Sequence, residues 1–246
     1  VICISVAAPT QKKALADIKR ALPLCDLLEL RMDLIADGNL SNFLKYIEDI
    51  SPGKPVVVTH RKTKPSAVSN GRAGRQSKAG AESEENKRWT ILEEAVRLGA
   101  AYVDVELEDE AFRVRTLQEL ILKRGRLTKL ICSHHDFRKT PSLSMLKKLY
   151  RACEAKGADL IKIAPYARRI DDNIRVLQFL SWAHEQGREV VAFCMGETGR
   201  LSRVAAPLFG AAFTFAALDE KSAAAPGQIA AGEMVKMLKI LKPKGV

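Results

Sequence analysis

No apolar run in this chain approaches the roughly 20 residues that a membrane-crossing helix needs, and the opening VICISVAAPTQKK puts no basic segment ahead of its short apolar one. It reads as a first strand, so a soluble, cytoplasmic protein with no membrane partner is expected. Cysteine occurs five times, at Cys3, Cys25, Cys132, Cys153 and Cys194, without a CxxC pair or a metal-ligand spacing. Three of these sit in apolar, strand-like runs, where cysteine acts as a small hydrophobe. A reduced protein without a zinc site follows. Aromatic residues are scarce at 6%, and none falls between Pro52 and Ala81. That stretch has no acidic residue either, yet it carries Lys54, Arg61, Lys62, Lys64, Arg72, Arg75 and Lys78, and Lys236, Lys239, Lys242 and Lys244 add a basic tail. A net charge of +11 and a pI near 9.5 invite a nucleic-acid reading. Without aromatic platforms for stacking bases, an anionic small substrate or a solvated basic loop explains the charge more simply, and no nucleic-acid partner is expected.

What the chain does have is alternation. Eight apolar, β-branched runs (ICISVA, LLELRMD, PVVVTHR, AYVDVEL, LTKLICS, ADLIKIA, EVVAFCM and AAFTFAA) are each followed by a stretch of helical pattern. The predicted helices cover 11–21, 39–50, 83–98, 111–124, 142–156, 171–186, 200–209 and 228–241. Strand–helix alternation implies parallel pairing with right-handed crossovers, and eight units imply closure. Gly99, Gly125, Gly157 and Gly187 each fall between a helical pattern and the next strand, where a left-handed C-cap belongs. An open doubly wound sheet would want a glycine-rich turn after the first strand, and AAPTQKK is not one. The expected fold is a (β/α)8 TIM barrel, a single domain over residues 1–246. The irregular piece from Lys62 to about Ala81 would sit at the barrel mouth as a mobile loop or lid.

In such a barrel the chemistry gathers at the carboxyl ends of the strands. ADLIKIA places Lys162 in phase with Leu160 and Ala164, pointing inward from an apolar run. It is either a snorkelling edge residue or a desolvated amine. An ordinary lysine, with a pKa near 10.4, is only roughly 0.04% neutral at pH 7, so a nucleophilic one needs burial and cationic neighbours to lower that value. In ELRMD, Glu29, Arg31 and Asp33 share one face, which is costly unless they pair and bind something. Thr59 and Arg61, then Asp104 and Glu106, continue a polar floor. SHHDF holds two of the four histidines at a strand end, the place for a general acid/base. One of His134 and His135 points inward. GETGRLSR adds the cation Arg203, and KSAAAPGQI is a small-residue loop that lets backbone approach a ligand, with Gln228 opening the last helix. The set suits a carbonyl substrate that carries a carboxylate or phosphate and several hydroxyls, activated as an iminium ion. A class I aldolase or transaldolase is the alternative reading, since Arg203 would also suit a phosphate.

ELRMD, SHHDFRKTPS, the lysine of ADLIKIA, GRLSR and APGQI, in this order and spacing, resemble the type I 3-dehydroquinate dehydratases over essentially the whole chain. The resemblance implies a barrel, often a homodimer, that converts 3-dehydroquinate to 3-dehydroshikimate by syn elimination with no metal or cofactor. It makes Lys162 the Schiff-base lysine and His135, rather than His134, the catalytic base. It further makes Glu29, Arg31, Arg61, Arg203 and Gln228 substrate contacts. Two departures stand out. The family's Glu-Gly-Gly after the third strand, whose glutamate orients the histidine, is replaced by PSAVSNGRAGRQSKAGAESEE, with no acid before Glu82. Glu82, Glu84, Glu85 or another group would have to orient His135. Ala224 stands where the family has serine, which removes one hydroxyl contact of about 0.5–1.5 kcal/mol.

Overall fold

The computed structural model describes residues 1–62 and 78–241. Eight strands alternate with eight α-helices: β1 (Ile2–Val6), α1 (Gln11–Ala21), β2 (Leu27–Arg31), α2 (Leu40–Ile50), β3 (Val56–Thr59), α3 (Lys78–Arg97), β4 (Tyr102–Glu106), α4 (Ala111–Lys123), β5 (Lys129–Asp136), α5 (Leu143–Ala155), β6 (Leu160–Pro165), α6 (Asp171–His184), β7 (Glu189–Ala192), α7 (Arg200–Ala205), β8 (Thr214–Ala217) and α8 (Ala231–Leu241). All pairs are parallel, in the order β7-β6-β5-β4-β3-β2-β1-β8. The two ends nearly meet, since the Ala212 amide donates to the Val190 carbonyl at 2.9 Å. The expected barrel is therefore present, with one weakly paired seam.

Strand alternation sorts the residues into two environments. Outward side chains such as Ile161 and Ile163 pack against the helices, whereas Cys3, Leu27, Val57, Ile131, Leu160, Val191 and Phe213 fill the lower lumen. One pleat repeat further along, the inward positions are Ser5, Glu29, Thr59, Asp104, Ser133 and Lys162, all buried. The polar floor thus lies directly on an apolar plug. All five cysteines are buried and free.

Local signals account for the helix ends. Thr10, Asn39 and Ser142 accept the backbone amides three residues on, which caps α1, α2 and α5. The four inter-element glycines adopt φ between 75° and 80°. Three boundaries differ from expectation. Helix α3 starts at Lys78, five residues before Ser83; α7 ends at Ala205 and tightens into a 3-10 turn over Ala206–Phe209, where Pro207 lacks an amide; and α8 starts at Ala231. Gln228 therefore precedes the last helix rather than opening it, because Ala230 still bridges to Ala217 beside β8. The expected basic lid falls mostly on residues 63–77, and Lys242 and Lys244 on 242–246, outside the described residues.

A second ionic cluster ties α3 to the end of β4. Arg88, only 1% exposed, donates to both Asp109 carboxylate oxygens at 3.1 and 2.6 Å, to Glu85 at 3.1 Å and to the His60 carbonyl at 2.7 Å. Lys62 reaches Asp109 at 2.9 Å from the other side. Removing one member of a buried pair strands its partner, a loss of about 3–5 kcal/mol. With Lys62 still in place, Arg88→Ala is expected at the lower end of that range in urea unfolding. A loss below about 0.5 kcal/mol would mean that the cluster does not hold α3 to the barrel.

Candidate active site

At the carboxyl ends of the strands lies a cavity of about 640 Å³, lined by Glu29, Arg31, Arg61, Glu106, His135, Lys162, Arg203 and Gln228 among others. All seven residues singled out from the sequence are brought together there. A more open groove of about 1060 Å³ lies across the 223–230 segment, against Leu201, Met237 and Ile240, and holds neither Lys162 nor His135.

Lys162 is 4% exposed and comes up through the apolar plug, with Nζ 4.1 Å from the centre of the Phe215 ring. Its nearest charged neighbours are carboxylates: Nζ donates to Asp104 Oδ2 at 3.2 Å and lies 3.6 Å from Glu29 Oε1. This corrects the expectation of cationic neighbours. The reason is the pleat, which puts the inward acids of β2 and β4 at the same height as the lysine of β6.

Asp104 is the most connected of these groups, and sequence reasoning had placed it only in a polar floor. Arg61 grips it with two guanidinium nitrogens at 2.9 and 2.5 Å, and Ser133 Oγ donates at 2.6 Å. Burial alone would push its carboxyl up, but the charges of Arg61 and Lys162 and the bonds from Arg61 and Ser133 outweigh this and hold it far below the aspartate range. Glu29 is treated similarly. Burial opposes ionisation, and Lys162, Arg31 and the Ser5 hydroxyl reverse it, so the carboxyl titrates below its usual range. Ser5 and Thr59 donate to its two oxygens at 2.6 and 2.8 Å. Ser5 carried no signal in the sequence, because a serine in an apolar strand announces nothing without its neighbours. Glu106 behaves differently. Burial raises its carboxyl, and the Arg61 guanidinium, at 3.8 Å, only partly offsets this.

The two histidines of β5 face opposite ways. His134 Nδ1 pairs with Glu108 at 2.6 Å, whereas His135 lines the cavity. Burial, reinforced by the positive charges of Arg61 and Lys162, holds the His135 imidazole well below the usual histidine range, so it is neutral at pH 7. Its ring stacks on Phe137, with centroids 6.1 Å apart and planes at 17°. None of the three suggested glutamates orients it: Glu82 and Glu84 are exposed, and Glu85 accepts from Trp89 Nε1 and Arg88.

Beside the aromatic pair Phe193 and Phe215, Arg203 of α7 is 1% exposed, lies over the Phe193 ring at 4.2 Å and donates from one nitrogen to the Pro226 carbonyl at 3.1 Å. Its Nε and other terminal nitrogen have no partner among the described residues. Burial lowers its pKa to about 9. A buried guanidinium with two idle donors is a receptor for a planar anion. Arg31 is instead already engaged, bonding Asp33 at 3.0 and 2.7 Å. Gln228 accepts the Ala224 and Ala225 amides on Oε1 at 2.7 and 3.3 Å, which fixes the flip of the amide and leaves Nε2 pointing to Ser5 at 3.4 Å. The small-residue loop lines the cavity through Ala224, Ala225 and Pro226 and also packs closely on another loop: a Cβ on Gly227, at φ +77°, would lie 2.2 Å from the Gly196 carbonyl oxygen. Among the described residues, no three His, Cys, Asp or Glu side chains form a metal-ligand group, and no helix is long and apolar enough to cross a membrane.

The family model for type I 3-dehydroquinase matches residues 2–244. A 3-dehydroquinate dehydratase of Desulfotalea psychrophila is 33% identical over 233 residues, covering 95% of this chain and 94% of its own. That of Methanococcus vannielii is 33% identical over 244 residues, or 98% and 100%. In fold, the crystal structure of the 3-dehydroquinate dehydratase from Geobacillus kaustophilus superposes with a TM-score of 0.78 at 25% identity, covering all of this chain and 92% of that one. The chain belongs to the type I 3-dehydroquinase family, the lyases that dehydrate 3-dehydroquinate in the shikimate pathway.

Proposed function

We propose that this dehydration runs through an iminium ion on Lys162 as a syn elimination, with His135 as the proton carrier and Arg203 as the anchor for the substrate carboxylate. The observation that carries the reading is the gathering of a buried amine, a neutral imidazole and a guanidinium with two idle donors around one cavity. The cavity that all three line, of about 640 Å³, has room for a small ring with a ketone at one side and a carboxylate at the other.

Lys162 passes a proton to His135 and attacks the C3 ketone. The imidazolium returns that proton to the carbinolamine oxygen, a second proton passes from nitrogen to the same oxygen through the imidazole, and the oxygen leaves as water. The iminium acidifies the C2–H bond, and His135 takes the proton to give an enamine. Collapse of the enamine expels the C1 hydroxyl, protonated by the same imidazolium, and water then releases 3-dehydroshikimate from Lys162. Arg203 fixes the ring so that one face meets both groups. Glu29, Arg31, Arg61 and Gln228 Nε2 border the space that the ring hydroxyls would occupy.

Borohydride reduction in the presence of 3-dehydroquinate should leave a substrate-mass adduct on the peptide that contains Lys162, and Lys162→Ala should lose adduct and turnover together. An adduct retained by that variant would place the Schiff base on another lysine. His135→Ala should retain some trapping with little product, while His134→Ala should be mild; the reverse ranking would exchange their roles. Because the His135 pKa is depressed by burial and by the Arg61 and Lys162 charges, its base form persists as pH falls, and kcat/KM should decline only below the ordinary histidine range. A decline already centred near pH 7 would exclude His135 as the group observed. Arg203→Ala forfeits charged hydrogen bonds worth about 1.5–3 kcal/mol, so KM should rise roughly 10- to 100-fold, with kcat changed less. An unchanged KM would remove Arg203 from carboxylate binding.

A further inference from the structure

We propose that the Asp104 carboxylate is the fixed counter-ion for the positive charge carried at Lys162 Nζ through condensation with the ketone, an inference that rests on the iminium reading above. Asp104 Oδ2 accepts directly from Nζ at 3.2 Å, and the residue is fully buried. The other carboxylate at hand, Glu29, stands 3.6 Å away with each oxygen already taken by a hydroxyl. Asp104 is thus the acid in bonding contact with the reacting atom.

Charge accounting around the cavity supports the assignment. Arg31 of β2 is neutralised by Asp33, and Lys62, after β3, is bound to Asp109. Arg203 of α7 awaits an anion. Cys3 of β1 is held as a thiol, first by its burial and then by the charge of Glu29, and His135 of β5 is held neutral. Glu106 of β4, raised by burial, lies nearest to Arg61. What remains is Glu29 and Asp104 against Arg61 and Lys162, with Glu106 a further carboxylate beside Arg61, so the set is short of positive charge unless Nζ bears one.

Condensation preserves that balance. An ammonium and a ketone give an iminium and one water: the N–C bond forms, the C–O bond breaks, two nitrogen protons leave with the oxygen, and the single positive charge stays at nitrogen. A carboxylate set for the ammonium is therefore already set for the iminium, without moving. Asp104 can serve in this way because its carboxyl stays ionised throughout the working range. For the same reason it is a poor proton acceptor, which leaves proton transfer to His135.

The test is trapping by cyanoborohydride, which reduces iminium ions rather than neutral imines, as a function of pH with 3-dehydroquinate. In the wild type the adduct yield should hold to about pH 9, and Asp104→Asn should move its alkaline fall down by about one to two units, as loss of an adjacent opposite charge does. Asp104→Glu should restore the wild-type limb. Ser133→Ala, which cuts a bond to Asp104 but not its charge, should leave the limb in place. No wild-type adduct would sink the iminium reading itself. A wild-type adduct with an unmoved limb in the Asn variant, or an equal shift in Ser133→Ala, would sink the counter-ion alone. If Asp104→Asn does not fold, the wild-type profile decides, because a yield falling already between pH 7 and 8 would overturn the proposal.

Discussion

Two carboxylates, a guanidinium and an amine are confined in the lumen of the barrel, at the height where the apolar plug ends. Charges in such a place are tolerated only when they sum to nearly zero and their hydrogen-bonding capacity is met. The rest of the site follows from that constraint. Ser5, Thr59 and Ser133 serve the acids, which need donors; Arg61 serves Asp104 with two parallel bonds; and Lys162 supplies a cation to both acids. These side chains come from six neighbouring strands or strand ends. A barrel is suited to this, because its pleat brings inward positions of every strand to a common level.

The guanidinium of Arg203 follows the opposite logic. Arg203 is buried as deeply, yet no acid is set beside it, and its pKa falls to about 9 as a result. Desolvating a cation without a partner is unfavourable, and the binding of an anion recovers the loss. The cost is carried by the packing around it. The guanidinium lies on Phe193, the Pro226 carbonyl takes one donor, and that carbonyl also receives the Gly196 amide at 3.1 Å. The Gly196–Gly227 contact locks the two loops at a separation that no side chain would allow. One part of the lining therefore carries its own counter-charges while Arg203 is left wanting one, a polarity that suits the anionic ketone of the proposed reading.

How much of this could be read from the sequence depends on whether a feature belongs to one strand or to the relation between strands. The inward phase of Lys162, the opposite facing of His134 and His135, and the glycine caps are single-segment properties, and each was legible. The neighbours of Lys162 were not. Asp104 has Ile131 as its Cα partner on β5, but its side chain meets Ser133, two residues on. That offset arises from strand tilt, which leaves no trace in composition or periodicity. Gln228 was misplaced for a related reason: an apparent helical pattern from 228 onward conceals a bridge beside β8, set by the closing seam rather than by local preference.

The two departures from the family pattern weigh differently against this geometry. Ala224 loses a hydroxyl, but the loop keeps its form because Gln228 Oε1 gathers the Ala224 and Ala225 amides, so the loss is confined to one contact. The missing glutamate bears on His135 itself. A carboxylate partner would raise the pKa of the imidazole. Among the described residues the imidazole has no hydrogen-bonding partner; it is steadied by the Phe137 stack, and after burial its strongest electrostatic neighbours are cations. An imidazole so placed is a weaker base and, once protonated, a stronger acid. The change works against removal of the C2 proton and in favour of delivering a proton to the departing C1 hydroxyl. The proposed route asks both steps of this one ring, so within it the missing acid moves difficulty from the second proton transfer to the first.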